Sequence, residues 1–449
     1  MLSVSDNELL TRTGPETPMG RLFRRFWHPV LLAEEVPEPD GTPVRLRVLS
    51  EDLVAFHDSD GTIGIIDALC PHRRAGMFFG RNEECGLRCV YHGWKFDVHG
   101  NCVDMPTEPR ESTFKDKIKT KAYPTAEYGG CIWVYMGPPD KQPALPHLEW
   151  ARVPDSQRVA SRWIQECNYM QAVEGEIDSA HVSWLHAPLQ VDHSPFRGRF
   201  NDSIIRDGAP KLTVKPTDYG FCYGARRDVD RDEYYWRVTQ WLLPTFSLIP
   251  AHGFPRGGRC WIPIDDTHIS VIQYSYHPER PLTEDEVQRG KNSPEVELAR
   301  YRLPDGVIID VSRDVRNADN DYLIDREMQR TQNFTGIQVI RTQDTAMTES
   351  MGGIVDRSQE HLGTTDVAVI AARRRLIKMA RDLEEGIEPV EALQPEIYNV
   401  RAVDMVCAED DFFRFMDLYA EDAVGKVYAP DPSRCLRHDS RCSRVDEPV

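Results

Sequence analysis

Two cysteines and two histidines stand in mixed pairs in "CPHRRAGMFFGRNEECGLRCVYHGW": Cys70-x-His72, then sixteen residues, then Cys89-x-x-His92. A thiol and an imidazole on each arm are metal ligands in type, and their order narrows the metal. A zinc finger with two cysteines and two histidines keeps like ligands together. One of each per arm suits a [2Fe–2S] cluster in which one iron takes both thiolates and the other both imidazoles. Gly76, Gly80 and Gly86 let the intervening chain turn back on itself, and Gly93 and Trp94 follow the last ligand, where a tight turn and an apolar shield exclude water.

A second stretch, "DSAHVSWLH", holds Asp178, His181 and His186. A step of five turns the second histidine about 140° around an ideal helix from the first. The i, i+4 pair of a zinc protease faces one way; this pair would not. Taken alone, the stretch reads equally well as three polar residues on an ordinary helix.

The chain that must position these residues has 449 of them, enough for two or three domains. With 40% hydrophobic and 28% charged residues it has the balance of a globular protein. A net charge of −18 argues against nucleic acid and anionic membrane as partners. No apolar run approaches the roughly 20 residues of a membrane span. The start, "MLSVSDNELL", lacks the basic and apolar regions of a signal peptide, so a cytoplasmic location is expected. In that reducing compartment most of the eleven cysteines are expected to be free.

Along the chain, residues 1–26 read as an N-terminal helical segment. From 27 to 140, short apolar runs such as "VRLRVL", "TIGIIDALC" and "CIWVYMG" are broken by Gly, Asp and Pro, the pattern of a small all-β domain. A second domain spans 141–425 after the proline-rich "PDKQPALPHLEW", and 426–449 reads as a flexible tail. Within the second domain, residues around 160–190 read as helix and 211–277 as long strands, with Asp265, Asp266 and Thr267 in a hairpin turn. Thr283 and Glu286 form a capping box in the charged stretch 278–332. Val369, Ala372, Leu376, Ala380 and Leu383 mark a helix stopped at Gly386. The class is α+β, an all-β domain followed by a central antiparallel sheet flanked by helices.

"CPHRRAG…CVYHGW" resembles the Rieske cluster motif of the aromatic-ring-hydroxylating oxygenases, and "EGEIDSAHVSWLH" is similar to that family's mononuclear-iron segment. The resemblance implies that Cys70 and Cys89 bind one cluster iron and His72 and His92 the other. His181 and His186 would bind a catalytic Fe(II), with the third ligand downstream in "TQDTAMTES" as Asp344, followed by Glu349 and in preference to Asp356, Asp366 or Asp404. Two imidazoles and one carboxylate leave open positions for O2. The five-residue step then requires a helix broken or distorted between His181 and His186, with Pro188 close behind.

Asp178 would bridge His181 to His92 of the partner subunit, so that electrons cross the boundary of a homotrimer, alone or stacked as a hexamer. "ESMGGIVDRSQEHLGTTD" resembles the phthalate-dioxygenase and aryl-O-demethylase branch. That implies an aromatic acid or methoxylated aromatic as substrate and ring dihydroxylation or O-demethylation as outcome. With no flavin or dinucleotide fingerprint in the chain, NADH electrons would come through a separate reductase of flavin or ferredoxin type. A substrate carboxylate calls for an arginine, and Arg206, Arg226, Arg227 and Arg237 lie near the strand region. The alternative is a Rieske-type electron carrier without oxygenase activity.

Overall fold

The structure, a computed structural model, describes residues 2–189, 199–250, 253–291 and 294–426. The tail expected from 426 onward lies outside the described residues from 427. Ser3 and Thr17, accepting from the N–H groups of Asp6 and Gly20, cap helices Val4–Thr11 and Pro18–Phe23. Both bury their apolar faces with Ala368, Val369, Ala372 and Leu376 of the helix Val367–Glu384. Gly386, at φ 84°, stands just past the end of that helix, where a left-handed residue closes the last turn.

The punctuated apolar runs become three small sheets. Trp27–Leu32, Cys131–Tyr135 and Thr125–Tyr128 form one, and Val44–Val48, Glu51–His57, Ile63–Asp67 and Ala122–Tyr123 another. The third has four very short strands between Arg81 and Asp104. It carries the Cys89 loop, while the Cys70 loop follows Ile63–Asp67. This part is fastened to the rest through Leu49 and Ser50, whose N–H groups donate to Pro263 and Ile264, and through the Arg45–Asp310 and Arg162–Glu35 ion pairs.

The large sheet runs, in spatial order, Lys211–Thr217, Gly220–Asp230, Glu233–Leu242, Phe246–Ile249, Arg256–Pro263, Ile269–Tyr276, Arg158–Gln165, Ile308–Asp314 and Val296–Arg302. Val403–Cys407 pairs with the first half of Glu233–Leu242. Adjacent strands are antiparallel except Arg158–Gln165 against Ile308–Asp314. The expected turn at Asp265 to Thr267 joins Arg256–Pro263 to Ile269–Tyr276, with Asp265 Oδ1 accepting from Thr267 N–H.

Two readings are corrected. Residues 160–165, expected as helix, belong to the strand Arg158–Gln165 in the sheet interior, and because nearly every residue of it is buried it shows no alternation. The charged stretch beyond the capping box at Thr283 and Glu286 hides an edge hairpin, Val296–Arg302 with Ile308–Asp314. Edge strands tolerate charge on their open side, which masks their apolar pattern.

The helix Ile340–Ser350 lies against the end of Arg158–Gln165 and the helix Tyr169–Ile177. Gln165 Nε2 donates to Thr348 Oγ1 at 2.6 Å, and Gln171 Nε2 donates to the Thr348 carbonyl at 2.9 Å. Its last turn is pinned by Glu349, whose carboxyl accepts from Glu166 N–H at 2.7 Å and from the Tyr322 hydroxyl at 2.5 Å. Burial pushes Glu349 up to about 7, against the pull of those two donors and helped by the Glu166 carboxylate. A carboxyl raised in the folded state contributes stability that is full below its unfolded value and lost as pH rises through about 7. Glu349→Gln stays neutral and the Tyr322 hydroxyl can turn to accept from its amide. The variant should therefore gain on the wild type between pH 5 and pH 8, by on the order of 1–2 kcal/mol, in thermal or denaturant unfolding. A difference between the two proteins that does not change with pH would refute this.

Candidate functional site

The two Cys/His loops are built alike. Cys70 N–H donates to the Ala75 carbonyl and its own carbonyl accepts from Arg74 N–H; Cys89 does the same with Trp94 and Gly93. Arg74 (φ 59°) and Gly93 (φ 75°) both take the left-handed conformation that closes such a turn. The thiols are buried together with Val54, Met77, Leu87 and Phe96. Burial first, then the neighbouring Cys89, pushes the Cys70 thiol up to about 11. His72 and His92 meet with ring centroids 4.4 Å apart, and Trp94 stacks on His72 at 4.3 Å. His72 Nδ1 is buried with no hydrogen-bond partner among the described residues. Two adjacent buried thiols and two meeting imidazoles, one with a buried unpaired nitrogen, are of the type and number a cluster of this kind requires.

The second constellation is drawn from two distant segments. Helix Tyr169–Ile177 stops at Asp178, whose Oδ1 accepts from Ala180 N–H at 2.7 Å. The chain re-enters helix for a single turn, Val182–Leu185, with His181 and His186 as its two flanking residues. The break thus falls before His181 rather than between the histidines, and the five-residue step spans one short isolated turn. Their ring centroids are 5.2 Å apart. Arg227, fully buried, holds the break in place by donating to the Ser179 carbonyl at 2.6 Å and the Asp207 carbonyl at 3.1 Å.

Asp344 arrives from the helix Ile340–Ser350. Its Oδ1 lies 3.0 Å from His186 Nε2 and 3.6 Å from His181 Nε2. One donor atom from each of the three lies within 4.8 Å of the others, a set that could hold a metal ion. Each imidazole is oriented through its other nitrogen: His186 Nδ1 is 2.7 Å from Gln343 Oε1, and His181 Nδ1 is 3.5 Å from Asp178 Oδ2. Burial would raise Asp344, but His186, Arg341 and His181 outweigh it and hold the carboxylate far below its ordinary value. Burial likewise lowers His181, yet Asp178 and Asp344 prevail and raise it.

The four candidate arginines part ways. Arg206 is exposed beside Asp202. Arg226 lies over the Tyr234 ring and near Asp228 and Asp410, on the sheet face away from the histidines. Arg227 is consumed by Ser179 and Asp207. Strand alternation puts Arg237 on the same face as Tyr235, which packs against Val182 between the two histidines. It makes no hydrogen bond or ion pair among the described residues, and its charge is felt at His181, where it opposes protonation. Reasoning from sequence did not assign roles to Gln343 and Arg341, although both stand beside Asp344 in "RTQDTAMTES".

Comparison with known proteins shows the family. A Rieske [2Fe-2S] domain model matches residues 26–124, and a model described as LigXa C-terminal domain like matches 134–427. The phthalate 4,5-dioxygenase oxygenase subunit of Pseudomonas putida is 41% identical, with 86% of this chain and 88% of that one covered. The 5,5'-dehydrodivanillate O-demethylase oxygenase subunit of Sphingobium sp. (strain NBRC 103272 / SYK-6) is 30% identical, with 87% and 83% covered. Among solved structures, dicamba monooxygenase bound to dicamba superposes with a TM-score of 0.54 over 81% of this chain and 99% of that one; at 18% identity it speaks to the fold. A match that continues through the second domain sets aside the simple electron carrier. The chain belongs to the Rieske non-haem iron oxygenases, enzymes with a [2Fe–2S] cluster and a mononuclear iron, in the branch of phthalate dioxygenase and the aryl O-demethylases.

Proposed function

We propose that Cys70, His72, Cys89 and His92 hold the cluster, that His181, His186 and Asp344 hold the iron, and that the enzyme dihydroxylates the ring of an aromatic carboxylic acid. The observation that carries the substrate class is Arg237, a cation without a partner among the described residues on the sheet face turned toward the two histidines. A guanidinium in that position binds a carboxylate in a two-pronged, charge-assisted way and fixes the ring beside the iron. The relatives named for phthalate and dehydrodivanillate, both aromatic acids, favour the same class. The demethylase relative supports a second reading, in which a methoxy carbon is oxidised and lost as formaldehyde.

When bound, the cluster supplies electrons one at a time and the iron activates O2. The chain's own residues do the rest. Asp178 and Gln343 orient the imidazoles, and Arg227 holds the turn that presents them. Asp178 also serves as the bridge toward His92 of the partner subunit in a homotrimer or stacked hexamer. Exposed Tyr91, Val90 and Phe79 around the cluster, and exposed Trp184 beside the histidine turn, suit burial between subunits. A separate reductase of flavin or ferredoxin type delivers the NADH electrons.

A single turnover of pre-reduced enzyme with phthalates and methoxybenzoates decides the reaction: a cis-dihydrodiol is expected, and phenol with formaldehyde would assign the enzyme to O-demethylation instead. Arg237→Gln should raise KM for the acid roughly 10- to 100-fold while leaving a neutral ester analogue nearly unaffected. Equal effects on both would remove Arg237 from the carboxylate site. Asp178→Asn should retain cluster absorbance and full iron yet nearly stop turnover, and a normal rate would dismiss the bridge.

A further inference from the structure

Arg341 and Asp344 stand three residues apart on the helix Ile340–Ser350, so they share a face. The two oxygens of Asp344 are differently employed. Oδ1 faces His186 and His181, while Oδ2 accepts from Arg341 Nη1 at 3.1 Å. The guanidinium is itself held, with Nη1 3.9 Å from Glu176 Oε2. Glu176, near the end of the helix Tyr169–Ile177, is buried; it accepts from the Ser247 hydroxyl at 3.2 Å and forms an ion pair with Arg259, which is also buried. Charges of alternating sign therefore run Asp344, Arg341, Glu176, Arg259 across three elements, lining a small cavity between Trp163 and Trp261.

A carboxylate facing a dication can offer one oxygen or both. Here the second oxygen is already committed to a cation that is always charged. We propose that Arg341 is a positioning residue that restricts Asp344 to one-oxygen ligation of the iron, keeping free a coordination position that a chelating carboxylate would fill. This rests on the reading of His181, His186 and Asp344 as the iron ligands. The residues oppose a trivial alternative in a measurable way. If Arg341 merely steadied Asp344, its loss would weaken metal binding by roughly 10- to 100-fold, as loss of other outer partners does. If it withholds Oδ2, its loss releases a second ligand oxygen and removes a nearby positive charge, so binding should tighten.

The test uses cluster-containing protein whose mononuclear iron has been replaced by Co(II), read by EPR with the cluster oxidised and silent. Arg341→Met should change the cobalt signal and tighten Co(II) binding by about tenfold, whereas Arg341→Lys, which keeps a charged donor, should retain the wild-type signal. An unchanged signal in Arg341→Met, or weaker binding, overturns the proposal. Arg341→Ala replaces it should the methionine variant lack the visible cluster spectrum of folded protein. Asp344→Ala separates the two levels of inference. If it binds Co(II) as the wild type does, the ligand assignment fails and the proposal with it; if it loses Co(II), the assignment stands and the Arg341 result is decisive.

Discussion

A half-buried carboxylate lying 3.0 Å from one imidazole and 3.6 Å from another is an arrangement the fold has to support from several sides. Burial favours the neutral acid, so Asp344 stays ionised only because His186, Arg341 and His181 face it together. Those groups must in turn be held. Gln343, itself donating to the Ile337 carbonyl at 2.7 Å, aims the His186 ring. Glu176 and Arg259 balance Arg341, and Arg227 fixes the turn that carries His181. The cluster of His181, His186 and Asp344 is thus an electrostatic arrangement spread over two helices, one isolated turn and the sheet.

The sheet decides where that arrangement opens. Alternation along Glu233–Leu242 sends Trp236 and Val238 into the layer formed with Phe412 and Phe415, and Tyr235 and Arg237 toward the histidine turn. The outer layer is held by apolar packing and needs no charge. The inner face can carry an arginine because the site beyond it is polar. One strand therefore separates the apolar outer layer from the face turned to the histidines at single-residue resolution.

In the N-terminal part the same economy holds in miniature. Two loops with identical hydrogen-bond closure bring Cys70, His72, Cys89 and His92 together over an apolar floor. Trp94, expected as a shield, stacks directly on His72. The differing spacing, one residue between cysteine and histidine on the first loop and two on the second, is absorbed within loops whose closing bonds are the same. Short strands suffice here because the loops, not the sheet, hold the geometry.

The mixed Cys/His arms were legible in the sequence as a candidate ligand set because residue type and close spacing mark them, whereas His181 and His186 read alone as polar residues on a helix and Asp344 was singled out only by the family resemblance. The antiparallel sheet and the capped helices were also readable, since each leaves a local periodic signal. The strand Arg158–Gln165 and the charged edge hairpin were not, because burial on both faces erases alternation and an open edge permits charge. Nor could the chain rank its arginines. Four looked equivalent in sequence, and only tertiary packing consumed Arg227, exposed Arg206, turned Arg226 outward and left Arg237 beside the histidines. The alternating charges from Asp344 to Arg259 join positions 176, 259, 341 and 344. Sequence determined which groups are present; long-range packing alone decided which charges face one another, because electrostatic partnership depends on distance through space and not along the chain.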